Sequence, residues 1–243
     1  MEKSLLLVLI TNVMLIMGCS KDTGAAPAES LAGIVKGRVV DSKGDPIANA
    51  KVVIEHTVLY AKYVYAVTDA NGNYKTNVPE GSWHASVQIQ KKFLDREYNF
   101  ELSPDVDAAF AGSAGAVRNF SWKLSGAKPG GGFYGSYVAV YNEPGSSFDM
   151  TDVEVTLKPN GPLVDGSMGM TITKKLTDIG GGQEGINDVP IGMYNITARN
   201  TTTGQALQIR IRNNGAYDNS VTSFFDTWFT GVNTYQIAVQ VKE

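Results

Sequence analysis

Residues 83–90 read Trp83-His84-Ala85-Ser86-Val87-Gln88-Ile89-Gln90, with an apolar side chain at every second position. A period of two places alternate side chains on opposite faces of a strand, so that one face enters a core and the other meets water. The same alternation recurs at residues 120–124, 153–158, 207–212 and 235–241, and no stretch after residue 30 has a helical repeat. The sequence therefore predicts an all-β chain of antiparallel sheets.

The alternation is interrupted once by a run of Pro and Gly, Gly126-Ala127-Lys128-Pro129-Gly130-Gly131-Gly132. Clustered Pro and Gly oppose regular secondary structure. We therefore expect two tandem antiparallel β-sandwich domains, at residues 32–126 and 133–243, joined by a Gly-rich linker at residues 127–132.

A short internal echo, which is a sequence pattern that occurs once in each half, links the two predicted domains. Val78-Pro79-Glu80-Gly81 has the same Val-Pro-x-Gly spacing as Val189-Pro190-Ile191-Gly192, and an aromatic residue follows two positions later in both. Pro fixes φ and Gly permits a tight turn, so each copy is expected to end one strand and start the next. Two similar units explain the echo, and convergence of two hairpin turns is the alternative.

Five segments of the first domain form a characteristic combination. They are Gly37-Arg38-Val39-Val40-Asp41, Gly44-Asp45-Pro46-Ile47, Ala50-Lys51-Val52, Thr68-Asp69-Ala70-Asn71-Gly72-Asn73-Tyr74 and Val78-Pro79-Glu80-Gly81. Over residues 34–90 the chain thereby resembles the carboxypeptidase regulatory-like domain. The resemblance implies a transthyretin-like (prealbumin-like) β-sandwich and a non-catalytic module, and it names no ligand. The second domain resembles this family only through the echo.

An apolar run near the N-terminus ends at Ile16-Met17-Gly18-Cys19, and Cys19 is the only cysteine in the chain. These four residues resemble the lipobox of bacterial lipoproteins. The resemblance implies a signal peptide at residues 1–18, cleavage before Cys19, and palmitate or similar acyl chains on that residue. Two or more acyl chains give stable anchoring, so we expect Cys19 to hold the protein on a bilayer. Residues 19–31 would form the lipidated tether, and Ser20 after the cysteine favours the outer membrane.

Composition and motifs argue against several classes of function. The net charge is −3 with no basic patch, so nucleic acid is not an expected partner. Neither His56 nor His84 belongs to a catalytic motif, and neither H-E-x-x-H nor G-x-S-x-G occurs. We expect no catalytic residues, no cofactor and no metal site, and His84 is interpreted as a surface histidine.

Two sequence patterns match binding motifs but also have a structural explanation. Residues 180–185 fit G-x-G-x-x-G, but Ile186-Asn187-Asp188-Val189-Pro190 follows where a phosphate-binding helix would have to begin. Asp69, Asn71 and Asn73, with Glu80, follow the spacing of a calcium loop. Position 6 of that loop is occupied by Tyr74 instead of Gly, so a hairpin turn is the preferred interpretation.

Aromatic residues are the best binding candidates in the sequence. Phe224-Phe225-Asp226-Thr227-Trp228-Phe229 places four rings within six residues, and Tyr134 follows the Gly-rich linker. Exposed aromatic rings offer flat platforms for sugars or protein partners. We select Phe225, Trp228, Phe229 and Tyr134 as candidate ligand-binding residues, with burial in a core or an interface as the alternative.

Together these features predict an outer-membrane lipoprotein that acts as a non-enzymatic binding or display module, with exposure at the cell surface as an open alternative. A glycan or an envelope protein is the expected partner. Two alternatives stay open, a hydrolase with an unrecognised site in the second domain and a purely structural envelope spacer.

Overall fold

Residues 34–121 form two sheets in a computed structural model, which describes residues 30–227 and 233–243. One sheet has the order β4-β1-β8, with β9 also paired to β1, and the other has the order β3-β2-β5-β6, with β7 paired to β5. The strands are β1 (Ile34–Val40), β2 (Lys51–His56), β3 (Tyr63–Val67), β4 (Asn73–Asn77), β5 (Ser82–Phe93), β6 (Arg96–Leu102), β7 (Phe110–Ala111), β8 (Ala116–Val117) and β9 (Phe120–Ser121). In β5 the apolar set Trp83, Ala85, Val87 and Ile89 is buried, as its alternation predicts.

Residues 136–242 form one larger sheet with the order β12-β11-β15-β16-β20-β10-β14-β13. Three further strands attach to it, since β17 pairs with β16, β18 with β15 and β19 with β20. The elements are β10 (Ser136–Asn142), a 3-10 helix (Met150–Asp152), β11 (Val153–Pro159), β12 (Ile172–Lys175), β13 (Thr177–Asp178), β14 (Glu184–Val189), β15 (Met193–Asn200), β16 (Ala206–Ile211), β17 (Asn214–Asp218), β18 (Val221–Phe224), β19 (Asp226–Thr227) and β20 (Tyr235–Lys242). The all-β prediction is confirmed.

The second half repeats the strand pairing of the first. In each half the opening strand pairs antiparallel with one strand and parallel with the last: β1 with β4 and with β8 and β9, β10 with β14 and with β20. The next strand lies between two others in the same way, β2 between β3 and β5, and β11 between β12 and β15. The third shared feature is the long strand that takes two further partners, β5 with β6 and β7, and β15 with β16 and β18. The halves therefore share one topology, and they differ because β16 also pairs with β20 and joins the second half into one sheet.

The turn predicted by the echo has the same hydrogen bond in both halves. The indole Nε1 of Trp83 donates to the Pro79 carbonyl at 2.9 Å, and the Tyr194 hydroxyl donates to the Pro190 carbonyl at 2.8 Å. Both aromatic side chains are buried, at 0% and 1% exposure. Two unrelated turns need not share this bond, so the structure favours similar units over convergence.

The sequence predicts antiparallel sheets, and three of the strand pairs are parallel instead. The pairs β1–β8, β1–β9 and β10–β20 are parallel. Alternation reports which face of a strand is buried and carries no information on the direction of its neighbour.

The two halves meet mainly through β6. The Tyr98 hydroxyl donates to the Phe225 carbonyl at 2.6 Å, and the Tyr98 ring lies edge-on to Tyr235 with 4.9 Å between centroids. Arg96 Nη1 lies 2.6 Å from Asp226 Oδ1. Within the described ranges, strands of one half do not pair with strands of the other. The assignment of the halves as separate domains at 32–126 and 133–243 stays a prediction.

Candidate functional site

A groove lies between the free edge of β6 and the start of the second half. It consists of two depressions of about 490 and 660 Å³, which share Asn99, Phe100 and Asn233 in their linings. We call the pair the inter-half groove. A third depression of about 350 Å³ adjoins the larger one through Ser103, Lys123 and Tyr134. The three depressions adjoin one another through these shared lining residues.

One wall of the inter-half groove is β6, the edge strand of its sheet. Residues 99–103 line the larger depression in succession. Phe100 is half-buried and lies 5.0 Å from Trp122 between ring centroids, so the two rings form an apolar floor. Asn99 is exposed, and its backbone N–H donates to the Tyr235 hydroxyl at 2.7 Å, which fixes this part of β6 against the second half.

The opposite wall is a hairpin made by the Gly-rich linker. Tyr134 N donates to the Gly126 carbonyl at 2.9 Å and closes the hairpin. The Asp188 carboxylate then accepts hydrogen bonds from Gly126 N, at 2.8 Å to each oxygen, and from Gly135 N at 3.1 Å. Asp188 has φ of 63°, a conformation that Asp and Asn tolerate better than most residues. This carboxylate therefore fixes both ends of the hairpin that presents Tyr134.

Tyr134 is half-buried and separates the larger depression from the third one. The ammonium groups of Lys123 and Lys128 lie 5.4 and 5.8 Å from the centre of its ring. Both distances are within the range of a cation–π contact. The ring is thereby held in place with part of its surface open to the groove.

The polar groups of the site are mostly neutral or fixed in one protonation state. Burial, with a smaller contribution from Tyr141, raises the pKa of Tyr137 to about 12, so its hydroxyl stays protonated at neutral pH. Burial opposes ionisation of Asp105 in the third depression, but hydrogen bonds from Asn119 and Val106 outweigh it and lower the pKa of that carboxyl. The Trp122 indole N–H is buried without a hydrogen-bond partner among the described residues. An ordered water or a ligand oxygen would satisfy this donor.

The structure separates the aromatic residues selected from sequence. Tyr134 lies in the groove. Phe225 is 0% exposed and offers only its carbonyl, to Tyr98, so the expectation that its ring forms an exposed platform is wrong. Its ring packs edge-on against Tyr194, with 6.2 Å between the ring centroids, and burial there is favourable. Trp228 and Phe229, like Cys19, lie outside the described residues, and these three stay predictions.

Sequence reasoning missed Phe100 and Trp122 as groove residues. Both sit at apolar positions of alternating stretches, where the pattern indicates only a core. They reach the groove because β6 is an edge strand that lines the larger depression together with the linker hairpin. No local signal in the sequence encodes this arrangement.

The histidines have structural partners. His84 Nε2 lies 2.8 Å from Asp107 Oδ1, and no other side chain bonds this pair among the described residues. His56 Nδ1 accepts hydrogen bonds from the backbone N–H groups of Val58 and Leu59, at 3.1 and 3.0 Å. A hydrolytic site needs a nucleophile or a second carboxylate beside such groups. Among the described residues, neither histidine is hydrogen-bonded to a hydroxyl, a thiol or a second carboxylate.

The calcium-like spacing is a hairpin turn. Asp69 Oδ1 accepts hydrogen bonds from Asn71 N and Asn73 N, each at 2.8 Å, so the carboxylate closes its own loop. Across the described residues, no group of three or more His, Cys, Asp or Glu is arranged to hold a metal ion. The Gly-rich segment 180–182 leads into strand β14, as expected for a loop.

Comparison with known proteins gives one match in the sequence. Residues 34–109 match the carboxypeptidase regulatory-like domain, which confirms the resemblance seen in the first half. No curated protein matches the sequence. In the part of the chain that the structure describes, no helix has the length and apolarity needed to cross a membrane.

Several solved structures are distantly similar. The Bacillus anthracis TIE protein is 13% identical, with a TM-score of 0.34, over 87% of this chain and 34% of its own. A leucine-rich repeat protein from Bacteroides thetaiotaomicron is 13% identical, with a TM-score of 0.22, over 88% and 27%. A C-terminal fragment of the pilus adhesin SpaC from Lactobacillus rhamnosus GG is 9% identical, with a TM-score of 0.25, over 86% and 96%. The chain spans about a third of the first two proteins, and scores of this size carry no inference about function.

Proposed function

We propose that this protein is an envelope lipoprotein, anchored through Cys19, whose inter-half groove binds carbohydrate. The observation that carries the proposal is the groove itself, an open depression lined by residues of both halves that include the aromatic residues Phe100 and Tyr134. The anchor would place this groove beyond a short tether at the membrane surface. The role is therefore binding or display, without a chemical step.

The lining has the two kinds of group that sugars need. Aromatic rings stack on the apolar faces of pyranose rings, and side-chain amides exchange paired hydrogen bonds with hydroxyl groups. Amides come from Asn99, Asn187 and Asn233, and three more, those of Asn49, Gln88 and Gln90, line the smaller depression. A groove open along its length suits a polymer better than a small enclosed molecule.

The alternatives are less well supported by the same lining. Glycoside hydrolysis needs two carboxyl groups on either side of the bond, and Glu101 is the one carboxylate among the described residues that line the two depressions of the groove. A purely structural spacer needs no open groove and no aromatic ring such as that of Tyr134, whose hairpin is held by the Asp188 carboxylate. A protein partner is the other candidate ligand, and polyglutamate represents an acidic one in the titrations of the next subsection.

A binding assay with a matched variant tests the carbohydrate proposal. We expect retention of the protein on immobilised polysaccharides in affinity electrophoresis, and loss of retention for Tyr134→Ala. Tyr60→Ala is the control, because Tyr60 is 99% exposed and lies outside the groove lining. Equal retention of the two variants, or no retention of the parent protein on any polysaccharide tested, counts against the proposal.

The anchor is tested separately. Metabolic labelling with a palmitate analogue is expected to label the parent protein and not Cys19→Ser. Labelling of both proteins, or of neither, would contradict anchoring through Cys19 without affecting the groove.

A further inference from the structure

The inter-half groove carries an excess of positive charge on an acidic protein. Four lysines line its two depressions, Lys51 and Lys91 in the smaller one and Lys123 and Lys128 in the larger one. Glu101 is the opposing carboxylate there, so the described lining has a formal charge of +3, from four lysines and one glutamate. The whole chain has a net charge of −3. The lysines are therefore concentrated at the groove against the sign of the protein.

These lysines do not neutralise acidic side chains of the protein. In the described part of the chain, none of the four forms an ion pair, whereas Arg96, Lys175 and Arg199 each do. Instead the ammonium groups lie over aromatic rings. Lys91 is 5.2 Å from the centre of Trp122, Lys51 is 4.7 Å from that of Tyr65, and two lysines flank Tyr134. A cation–π contact leaves the charge of the ammonium group intact and able to attract an anion.

From this arrangement we infer that the groove binds a linear polysaccharide that carries negative charges along its length. The inference rests on the proposed carbohydrate function and names the ligand class for the same site. The positive groups occur in both depressions and continue into the third, where Arg38 and Lys123 outnumber the Asp105 carboxylate. A single small anion would need one focus of charge, whereas charges spread along a path fit repeated anionic groups on a chain. Aromatic rings between the lysines would contact the sugar faces between those groups.

Carboxylate and sulfate groups on sugars share the chemistry that the lysines recognise. Lysine acts as a compact point charge without the planar fork that makes arginine selective for one oxyanion geometry. The experiment therefore includes both kinds of anion. An acidic polypeptide has the charge without the sugar faces, so the ring contacts favour the polysaccharide.

The test measures binding of the full-length protein to five polymers by isothermal titration. These are oligogalacturonate, its methyl ester, dextran sulfate, dextran and polyglutamate. We expect binding of oligogalacturonate, of dextran sulfate, or of both, and this comparison identifies the anion. We expect the neutral partner of each bound polymer to bind at least about 10-fold more weakly, and raising the salt from 50 to 500 mM to reduce only the binding of the charged polymers.

A pair of double variants locates the binding. Lys123→Gln with Lys128→Gln is expected to weaken binding of the charged polymer about 3- to 10-fold, since each partly exposed charge contact contributes modestly. Lys158→Gln with Lys174→Gln removes the same charge from outside the groove lining and should leave the affinity within about twofold. Equal losses for the two double variants would show a non-specific charge effect and overturn the inference.

The remaining outcomes separate this inference from the proposed function. If a charged polysaccharide binds and its neutral partner binds with equal affinity, the anionic ligand is overturned and carbohydrate binding is left intact. Binding of polyglutamate at least as tight as that of the charged polysaccharides overturns both in favour of an acidic protein partner. Absence of binding to every polymer also overturns both.

Discussion

Tyr98→Phe tests how strongly the two halves depend on each other. The Tyr98 hydroxyl donates at 2.6 Å to the Phe225 carbonyl, and the side chain is 1% exposed. The substitution keeps the ring and its contact with Tyr235, and it leaves a buried carbonyl without this donor. Such a loss costs about 1–3 kcal/mol, so we expect about 2 kcal/mol, or roughly a 30-fold larger unfolding constant. For a chain of this size the melting temperature should fall by about 4–8 °C.

Urea denaturation followed by tryptophan fluorescence measures this difference, with Tyr65→Phe as the control. The Tyr65 side chain is 52% exposed, and its ring contacts survive the substitution. We expect the control to change the free energy of unfolding by less than about 0.5 kcal/mol. Equal effects of the two substitutions would refute the argument that the Tyr98 bond couples the halves.

Burial of the Tyr98 hydroxyl should appear in the pH dependence of stability. Burial raises the pKa of Tyr98 to about 12, against 10.0 for a free tyrosine. Between pH 10 and 12 the unfolded chain releases this proton while the folded chain retains it, so the stabilisation is complete below pH 10 and declines as the pH rises to 12. Tyr98→Phe should therefore lose less stability than the parent protein over this window in the same urea experiment. An identical decline in both proteins would mean that Tyr98 does not contribute to it.

Three further substitutions test other parts of the structure, each by urea denaturation. Gly37→Ala should prevent folding or destabilise the protein by more than about 4 kcal/mol, because the added Cβ would collide with the Arg118 backbone carbonyl. Its control, Gly44→Ala, adds a Cβ in open space and should lose only about 1–2 kcal/mol from the positive φ of that residue. Similar losses for the two variants would contradict the close packing at Gly37. Asp188→Ala removes the acceptor for both ends of the linker hairpin and should cost about 1.5–3 kcal/mol in the free energy of unfolding. Asp188→Asn should cost less. No change would mean that the Asp188 carboxylate does not hold the hairpin. Tyr194→Phe deletes the bond to the proline carbonyl of its turn and should cost about 1–2 kcal/mol, and a neutral result would weaken the case for equivalent turns.

The sequence predicts the faces of the strands better than their partners. Trp83, Ala85, Val87 and Ile89 are buried because alternation follows directly from strand geometry. The parallel pairing of β10 with β20 joins segments about 100 residues apart, and no local pattern encodes it. The echo at Pro79 and Pro190 indicated similar units, and the shared topology extends that likeness over the whole second half.

The candidate site was only partly accessible to sequence reasoning. Tyr134 was selected for its position after the Gly-rich linker, and it lies in the groove. Phe225 belonged to the denser aromatic cluster, but its ring is buried, because clustering does not determine which side of a strand a ring occupies. Lys123 and Lys128 joined the site through the fold of the linker hairpin, which brings both to one aromatic ring.

Backbone amide shifts in an NMR titration with an anionic oligosaccharide locate ligand binding most directly. If the groove is the binding site, the amides of Asn99, Lys123 and Tyr134 should shift together and saturate at one ligand concentration. Saturating shifts confined to Tyr63 and Tyr65 on β3, or no saturating shift at all, would contradict a carbohydrate site between the two halves.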